Sequence, residues 1–347
     1  MNTNPYTLIF GKEPNELINR IVPESEIIQS FEAKNPSQQI YMITGVRGVG
    51  KTVFMTNIEK HFRNEGNWIT VELNPERDML QSLATKLSSN NLLAEIFRNA
   101  NINLTLFGFG LEVKNSAPIS DIETAVSRML ESINKQEKRL LITIDEVSNT
   151  KNMRTFASAF QILLRKDLPI YLLMTGLYEN INELRNEKNL TFLYRAPKIE
   201  LGSLNIGAIA DNYKSNFKIE ESDALEMARL TMGYSFAFQV LGYLTWKNDG
   251  RFREIIPTYR QYLEEYVYEK LWSELSPTDK KVSYAIAKTS DGKIIQVREN
   301  IGMTTNQFNP YRKRLIQKGI ISGDEHGYVS FTLPFFKEYV LENYDEI

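Results

Sequence analysis

Apolar strands alternate with amphipathic helices over residues 1–204, and this alternation leaves few folds open to the chain. The runs QIYMITG, RLLITIDEVS and LPIYLLMTG are apolar along most of their length, and NWITVELN is a further short strand. Between them lie segments with helical periodicity, such as SDIETAVSRMLESINKQEK. Continuous apolar strands are typical of a parallel sheet covered by helices on both faces, so the sequence predicts an α/β layer structure.

The chain has 347 residues, which is enough for two or three domains of about 100 to 200 residues each. We expect three: an α/β domain over 1–204, a helical domain over 205–275 in which no strand is predicted, and a third module over 276–347. Ser276 begins that module as a helix cap, with Pro277 at the first helical position and Asp279 completing a capping box. The segment INLTLFGFGLEVK, residues 102–114, predicts an inserted β-hairpin.

Composition excludes several classes of function. The chain contains no cysteine and only two histidines, which excludes disulfides, thiolate nucleophiles, cysteine metal sites and multi-histidine mechanisms. A net charge of −2 predicts no overall attraction to nucleic acid or to an anionic membrane, so any such partner must meet a local patch. The first residues lack the basic and apolar regions of a signal peptide, and no apolar run approaches the length of a membrane span. We therefore expect a cytoplasmic protein with no membrane partner.

The most specific motif is GVRGVGKT, which follows an apolar strand and opens a helix and fits the pattern G-x-x-x-x-G-K-[ST]. Backbone N–H groups of such a loop turn towards phosphate oxygens, Lys51 can reach the β and γ phosphates, and Thr52 can bind Mg²⁺. A glycine turn with a purely structural role is the alternative. The predicted nucleotide-binding residues are Gly45, Val46, Arg47, Gly48, Val49, Gly50, Lys51, Thr52 and Val53.

Two adjacent acids, Asp145 and Glu146, end the apolar strand LLITI. Ligands of open parallel sheets bind at the carboxyl ends of the strands, which is where these acids are expected. Asp145 could hold Mg²⁺, while Glu146 orients or deprotonates the attacking water. The alternative is a solvated acidic turn.

These motifs resemble the AAA+ and STAND group of P-loop ATPases, and within it the archaeal-type and origin-recognition-like members. GVRGVGKT resembles the Walker A loop, LLITIDE the Walker B strand, and YLLMTG the strand ending in sensor 1, whose polar residue would be Thr175. In FLYRAPKIELGSL the resemblance implies that Arg195 is a γ-phosphate sensor or finger; a surface arginine is the alternative. The resemblance covers nearly the whole chain. It implies a P-loop NTPase parallel sheet of AAA+ type, with ATP and Mg²⁺ as cofactors.

The segment TMGYSFAFQVLGYL, Thr231 to Leu244, is similar to the lid helix that begins with Gly-x-Pro in these ATPases. Ser235 stands in place of the proline, and no arginine stands at the usual sensor-2 position. The alternative is that its aromatic residues only pack in a core.

Residues 276–347 resemble a winged helix, with TTNQFNPYRKRLIQKG as the recognition helix and IISGDEHGYVSFTL as the wing. Arg312, Lys313, Arg314 and Lys318 are the candidate contacts to DNA phosphates. This module has ten Lys and Arg residues against nine Asp and Glu, which is a small positive balance for a DNA reader. Double-stranded DNA and a protein therefore remain the two alternatives for the partner of this module.

The expected function is a Mg²⁺-dependent ATPase whose nucleotide state changes the arrangement of the lid and the winged helix, and thereby controls binding of DNA or protein. The resemblance also implies that the chain could form a homo-oligomer that depends on nucleotide. The principal alternative is a nucleotide-gated DNA-binding or regulatory module with negligible turnover. A metabolite kinase is a further alternative, but the adjacent acids and the winged helix are more typical of motor or switch ATPases than of a kinase.

Overall fold

The structure is a computed structural model and describes residues 3–9, 11, 14–108 and 117–344. It divides into two compact units. The sheet unit comprises residues 21–44 and 51–200, and the helical unit comprises residues 1–20, 45–50 and 201–347. The glycine loop therefore folds with the C-terminal half of the chain, although it joins two elements of the sheet unit.

The sheet unit contains a five-stranded parallel sheet with strand order β2-β3-β4-β1-β5. The strands are β1 (Ile40–Thr44), β2 (Trp68–Leu73), β3 (Arg139–Ile144), β4 (Ile170–Gly176) and β5 (Lys198–Glu200). Every residue of β1 and β4 is buried, as expected for strands covered on both faces. Pairing of Ile144 with Met174 and of Thr44 with Gly176 aligns the carboxyl ends of β3, β4 and β1 at one edge.

Helices cover this sheet and complete its apolar core. They are α1 (Ile21–Glu32), α2 (Lys51–Asn64), α3 (Met79–Ser88), α4 (Asn91–Asn99), α5 (Ile122–Asn134), α6 (Lys151–Arg165), α7 (Tyr178–Arg185) and α8 (Thr191–Tyr194). Asp121 caps the N-terminus of α5, since its side chain accepts from the Thr124 N–H. The first part of the predicted hairpin forms a 3₁₀ turn at Thr105–Phe107 instead of a strand, and residues 109–114 lie outside the described residues.

The helical unit has a core of its own, which extends from Leu204 to Val340 and includes Tyr6. Its elements are α9 (Ile206–Phe217), α10 (Glu221–Leu230), α11 (Ser235–Lys247), α12 (Ile256–Leu263), a π-helical turn (Glu264–Tyr268), α13 (Glu269–Ser273), α14 (Pro277–Lys288), α15 (Ile294–Ile301), α16 (Thr305–Gln317), β6 (Ile321–Ser322), β7 (Ser330–Phe331) and α17 (Phe336–Asn343), with a 3₁₀ turn at Phe252–Ile255. The strands β6 and β7 form an antiparallel hairpin.

The N-terminal residues, expected within the 1–204 domain, pack in the helical unit. The Tyr6 ring lies 5.7 Å from that of Phe217 and 5.6 Å from that of Phe238, and its hydroxyl donates to Asn212 Oδ1 at 2.7 Å. Burial of an aromatic ring of this size provides enough apolar contact to fix a short segment. The boundaries at 204 and 275 stay predictions, because residues on both sides of 275 share one core.

The predicted capping box at the start of α14 is confirmed, since the Ser276 side chain accepts from the Asp279 N–H and the Asp279 side chain accepts from the Ser276 N–H. Helices α14, α15 and α16 followed by the β6–β7 hairpin have the element order expected of a winged helix. In the part of the chain that the structure describes, no helix combines the length and apolar character needed to cross a bilayer.

Candidate nucleotide site

The carboxyl edge of the sheet brings three predicted residues into one hydrogen-bonded set. Thr52 lies in the first turn of α2, Asp145 directly follows β3, and Thr175 lies near the end of β4. The Thr52 hydroxyl donates to Asp145 Oδ2 at 2.7 Å, and the buried Thr175 hydroxyl donates to Asp145 Oδ1. Parallel pairing of β3 with β4 places the two strand ends side by side. The Asp145 carboxylate is therefore held in one orientation from two sides.

Glu146 is presented to solvent from a constrained turn. Its φ of 53° lies in the left-handed region, which is uncommon for residues other than glycine. The turn is held by the Glu146 N–H, which donates to Asp145 Oδ1 at 3.0 Å and to Thr175 Oγ1 at 3.2 Å. Departures of this kind occur preferentially at functional sites. An exposed carboxylate thus stands directly beside the hydrogen-bonded one.

Oxygen ligands of this kind suit Mg²⁺, which takes few protein ligands and completes its shell with phosphate oxygens and water. The Thr52 hydroxyl and the Asp145 carboxylate supply such oxygens within hydrogen-bonding distance of each other. Over the described residues, no group of three or more His, Cys, Asp or Glu side chains could hold a metal alone. The residues present therefore fit a metal that arrives with a phosphate ligand.

The loop Gly45–Gly50 has a backbone that only glycine adopts easily at its key positions. Gly48 and Gly50 have φ values of 76° and 94°. At Gly45 an added Cβ would lie 3.0 Å from the Leu201 carbonyl oxygen. Lys51, Thr52 and Val53, the last three predicted nucleotide-binding residues, form the first turn of α2, which directly follows the loop in the chain.

Three consecutive carbonyl groups of the loop accept hydrogen bonds from three consecutive residues at the start of α11. The donors, acceptors and distances are Tyr234 Oη to Arg47 O at 2.7 Å, Phe236 N to Gly48 O at 3.1 Å and Ser235 Oγ to Val49 O at 2.8 Å. These contacts lie within the helical unit. The segment that resembles the lid helix therefore donates hydrogen bonds to the carbonyl groups of the loop and holds the loop in place.

Arg20 also donates a hydrogen bond to the same loop. One guanidinium nitrogen donates to the Val49 carbonyl at 3.0 Å and to Ser235 Oγ at 3.2 Å, and the other donates to the Gly202 carbonyl at 2.7 Å. Burial lowers the pKa of Arg20 to about 10, which still leaves it charged at neutral pH. Its three acceptors are neutral oxygens, so it contributes a positive charge next to the loop.

Residues 25–192 match the family described as "ATPase domain predominantly from Archaea". The match covers slightly less than half of the chain, and over this segment the chain is similar to an archaeal-type ATPase domain. The segment contains Lys51, Thr52, Asp145, Glu146 and Thr175, the residues predicted to carry the chemistry. Residues 265–340 match a family described as "Domain of unknown function (DUF8462)". None of the curated proteins compared with the chain matches it.

Solved structures resemble the chain over nearly its whole length. A Walker-type ATPase of Pyrococcus abyssi is 14% identical with a TM-score of 0.68, and the match covers 97% of this chain and 99% of that one. The ORC2 protein of Aeropyrum pernix, solved in ADPNP and ADP complexes, is 13% identical with a TM-score of 0.60, covering 96% and 95%. At these identities the likeness establishes the fold. The predicted fold class and the resemblance to archaeal-type, origin-recognition-like P-loop ATPases are confirmed.

Arg195 lies just beyond the matched ATPase domain, at the C-terminal cap of α8. Its side chain is exposed, and within the described ranges no hydrogen bond or ion pair involves its guanidinium. The structure therefore does not bring it into contact with Asp145 or Glu146. Its role as a γ-phosphate sensor or finger stays a prediction.

The basic residues predicted to contact DNA differ in their surroundings. Arg314 makes a bidentate ion pair with buried Asp279, from Nη2 to Oδ1 at 2.7 Å and from Nε to Oδ2 at 3.0 Å, and donates to Ser276 Oγ at 3.2 Å. Arg312 is half-buried near the Gly323 carbonyl. Lys313 is exposed, while Lys318, at the C-terminal cap of α16, is half-buried. The guanidinium of Arg314 is thus engaged in holding α16 to the start of α14.

Three residues that donate to the loop were not identified as such from the sequence. Arg20 stands alone in a polar leader, where no motif distinguishes it from a surface arginine. The sequence draws attention to Tyr234 and Ser235 through the altered lid signature, but it gives no sign that their hydroxyl groups meet loop carbonyls. Their contribution depends on distances across the tertiary fold.

Proposed function

We propose that the chain binds ATP with Mg²⁺ and hydrolyses it. The observation that carries this proposal is the set formed by Thr52, Asp145 and Thr175, with the exposed Glu146 carboxylate directly beside it. A metal-binding oxygen pair and an adjacent carboxylate that can orient or deprotonate water are two of the components that P-loop ATPases use. The Aeropyrum pernix ORC2 protein was solved in complexes with ADPNP and ADP, and this likeness supports ATP as the ligand.

The residues of the chain take distinct roles in this proposal. The loop N–H groups and the Lys51 ammonium hold the β and γ phosphates, and the N-terminal end of α2 adds a favourable dipole. Bound Mg²⁺ neutralises phosphate charge and orients the γ phosphate. Thr52 and Asp145 hold that ion, Thr175 fixes the Asp145 carboxylate, and Glu146 accepts a proton from the attacking water.

The deciding experiment compares ATP binding with ATP turnover in the parent protein and in Glu146→Gln. Glutamine preserves the size of the side chain but removes the base, so Mg·ATP affinity should stay near that of the parent. Turnover should fall by about 10²- to 10⁴-fold, the usual contribution of a general base. Glu137→Gln is a matched control because Glu137 is also exposed and also has a left-handed backbone, with φ of 55°.

The same comparison separates hydrolysis from nucleotide retention. The rival function is a regulatory module that holds ATP with negligible turnover, and the absence of an arginine at the usual sensor-2 position favours it. If the parent binds Mg·ATP but turns it over no faster than Glu146→Gln, with DNA supplied, the nucleotide is retained. If the parent does not bind Mg·ATP, both functions are excluded.

We further propose that nucleotide state controls binding of a partner through residues 276–347, either double-stranded DNA or a protein. The three-helix and hairpin order of this segment supports a winged helix. Engagement of Arg314 by Asp279 reduces the charge presented to a phosphate backbone, which weakens the case for DNA. A nucleotide-dependent homo-oligomer belongs to the same proposal, and sedimentation with ADP or with a non-hydrolysable ATP analogue would test it.

Duplex binding can be tested with two of the basic residues of α16. Arg312→Gln combined with Lys313→Gln leaves the Arg314 ion pair intact and removes two positive charges from α16. If the helix meets DNA, affinity should fall across sequences and the salt dependence should flatten by up to about two units of slope. Absence of any duplex shift by the parent at low salt, with ATP present, would favour a protein partner.

A further inference from the structure

Hydrogen bonds to the carbonyl groups of the loop determine where its N–H groups point. In a trans peptide, the C=O of one residue and the N–H of the next lie in one plane and point in opposite directions. A donor on the Arg47 carbonyl therefore turns the Gly48 N–H away from α11, and a donor on the Val49 carbonyl does the same for Gly50. These are the groups that a phosphate loop directs towards its anion.

The fit between loop and helix is close at Gly48. A Cβ added there would lie 2.2 Å from Tyr234 Oη and 3.2 Å from Phe236 Cβ. The Tyr234 side chain is buried, and burial raises its pKa, so the hydroxyl stays protonated and able to donate. Only a glycine at position 48 allows this contact, which makes the left-handed turn and the docking of α11 mutually dependent.

The Val49 carbonyl receives two donors, the Ser235 hydroxyl and the Arg20 guanidinium. A hydrogen bond from a cation is stronger than a neutral one and polarises the peptide that it binds. The Gly50 N–H belongs to that same peptide and becomes a better donor. The two residues lie 215 positions apart in the sequence, so they act together only when the helical unit is assembled.

We propose that Tyr234, Ser235 and Arg20 are positioning residues for the nucleotide: they impose the phosphate-binding shape of the loop, and nucleotide affinity depends on α11 being docked against it. This inference rests on the proposed binding of ATP. By reciprocity, a bound nucleotide stabilises the docked position of α11, and a partner that displaces α11 weakens nucleotide binding by the same factor. The three side chains act through carbonyl groups of the loop, so the proposal requires no contact between them and the ligand.

The test measures affinity for Mg·ADPNP and for ADP in single-residue variants. Tyr234→Phe removes only the hydroxyl and should weaken both ligands by about threefold to tenfold, the range of one lost hydrogen bond. Ser235→Ala should have an effect of similar size, and Ser235→Thr, which keeps the hydroxyl, should restore affinity. Arg20→Gln should weaken binding by about tenfold or more, because a charged donor is lost.

Tyr213→Phe is the matched control. The Tyr213 hydroxyl is also buried and donates at 2.8 Å to the Phe238 carbonyl of the same α11, but it does not touch the loop. Its loss should lower stability without a selective loss of nucleotide affinity. Equal losses for Tyr213→Phe and Tyr234→Phe would mean that affinity reports only the stability of α11, and would overturn the proposal.

A second measurement distinguishes positioning from simple support of the fold. The Phe236 N–H donates to the Gly48 carbonyl, so its hydrogen exchange reports the docked state. In the parent, nucleotide should slow exchange of the segment 234–240, and Tyr234→Phe should reduce that protection. If the parent binds nucleotide but the three variants bind as well as the parent, this inference fails and the proposed function survives. If the parent binds no nucleotide, both fail.

Discussion

The carboxyl edge of the sheet and the helix α16 both carry charged residues that sequence motifs single out, but the fold uses them differently. At the sheet edge, Asp145 meets Thr52 and Thr175, as expected for side chains at the ends of neighbouring parallel strands. On α16, Arg314 is engaged by Asp279 and Ser276 of another helix, whereas the adjacent Lys313 is exposed. Residues with the same charge, one position apart, thus have different surroundings.

The difference follows from geometry. Strand pairing at fixed register brings the ends of adjacent strands together, so a polar residue there meets its neighbours with little freedom. On a helix, each position faces a direction 100° from the last, and the elements that pack against each face depend on the whole tertiary arrangement. A motif on strand ends therefore predicts a site better than a run of like charges on a helix.

Of the three substitutions that test this comparison, Asp145→Asn at the sheet edge should have the largest effect. Replacing the carboxylate removes the charge that holds Mg²⁺ and one of the two oxygens that accept from Thr52 and Thr175, so turnover should fall by about a hundredfold or more. Turnover measured against Mg²⁺ concentration checks this, with Asp167→Asn, an exposed aspartate at the opposite edge of the sheet, as the control. An unchanged Mg²⁺ dependence would remove Asp145 from the site.

On α16 the corresponding change is Arg314→Ala. It leaves the buried carboxylate of Asp279 without its cation, but about 40% of the Arg314 side chain is exposed and solvent screens the pair. Leaving such an acceptor unpaired costs about 1 to 3 kcal/mol in the free energy of unfolding. The paired variant Lys313→Ala should change stability by less than about 0.5 kcal/mol, as surface substitutions usually do. Denaturant unfolding of both variants tests the contrast. Equal stability would show that Arg314 is as available to a partner as Lys313.

Arg195→Ala should have the smallest effect of the three. An exposed arginine that reaches the γ phosphate in the transition state should change turnover by about tenfold, or about 1.4 kcal/mol, with little change in ATP affinity. Steady-state kinetics with a parallel binding measurement separates the two quantities. If it acts across subunits, mixing Arg195→Ala with Glu146→Gln should partly restore activity. Turnover equal to that of the parent would exclude Arg195 from the site.

The sequence alone determined the parallel α/β layer, the glycine loop, the acids at the end of β3 and the capping box at Ser276, because each depends on local periodicity or on short fixed spacings. Short elements such as α4 and α8 were not predicted. Thr105–Phe107 forms a 3₁₀ turn where a strand was predicted. Short segments are decided by the surface on which they pack and only weakly by intrinsic preference.

Only the tertiary structure decided which residues hold the glycine loop and which cations stay exposed. Arg20 and Ser235 lie far apart in the chain and share the Val49 carbonyl, and Arg314 pairs with an aspartate two helices away. Hydrogen bonds and ion pairs form over a few ångströms between groups of any sequence separation. The loop motif therefore specifies which residues can bind phosphate, and packing of the helical unit decides how their backbone is oriented.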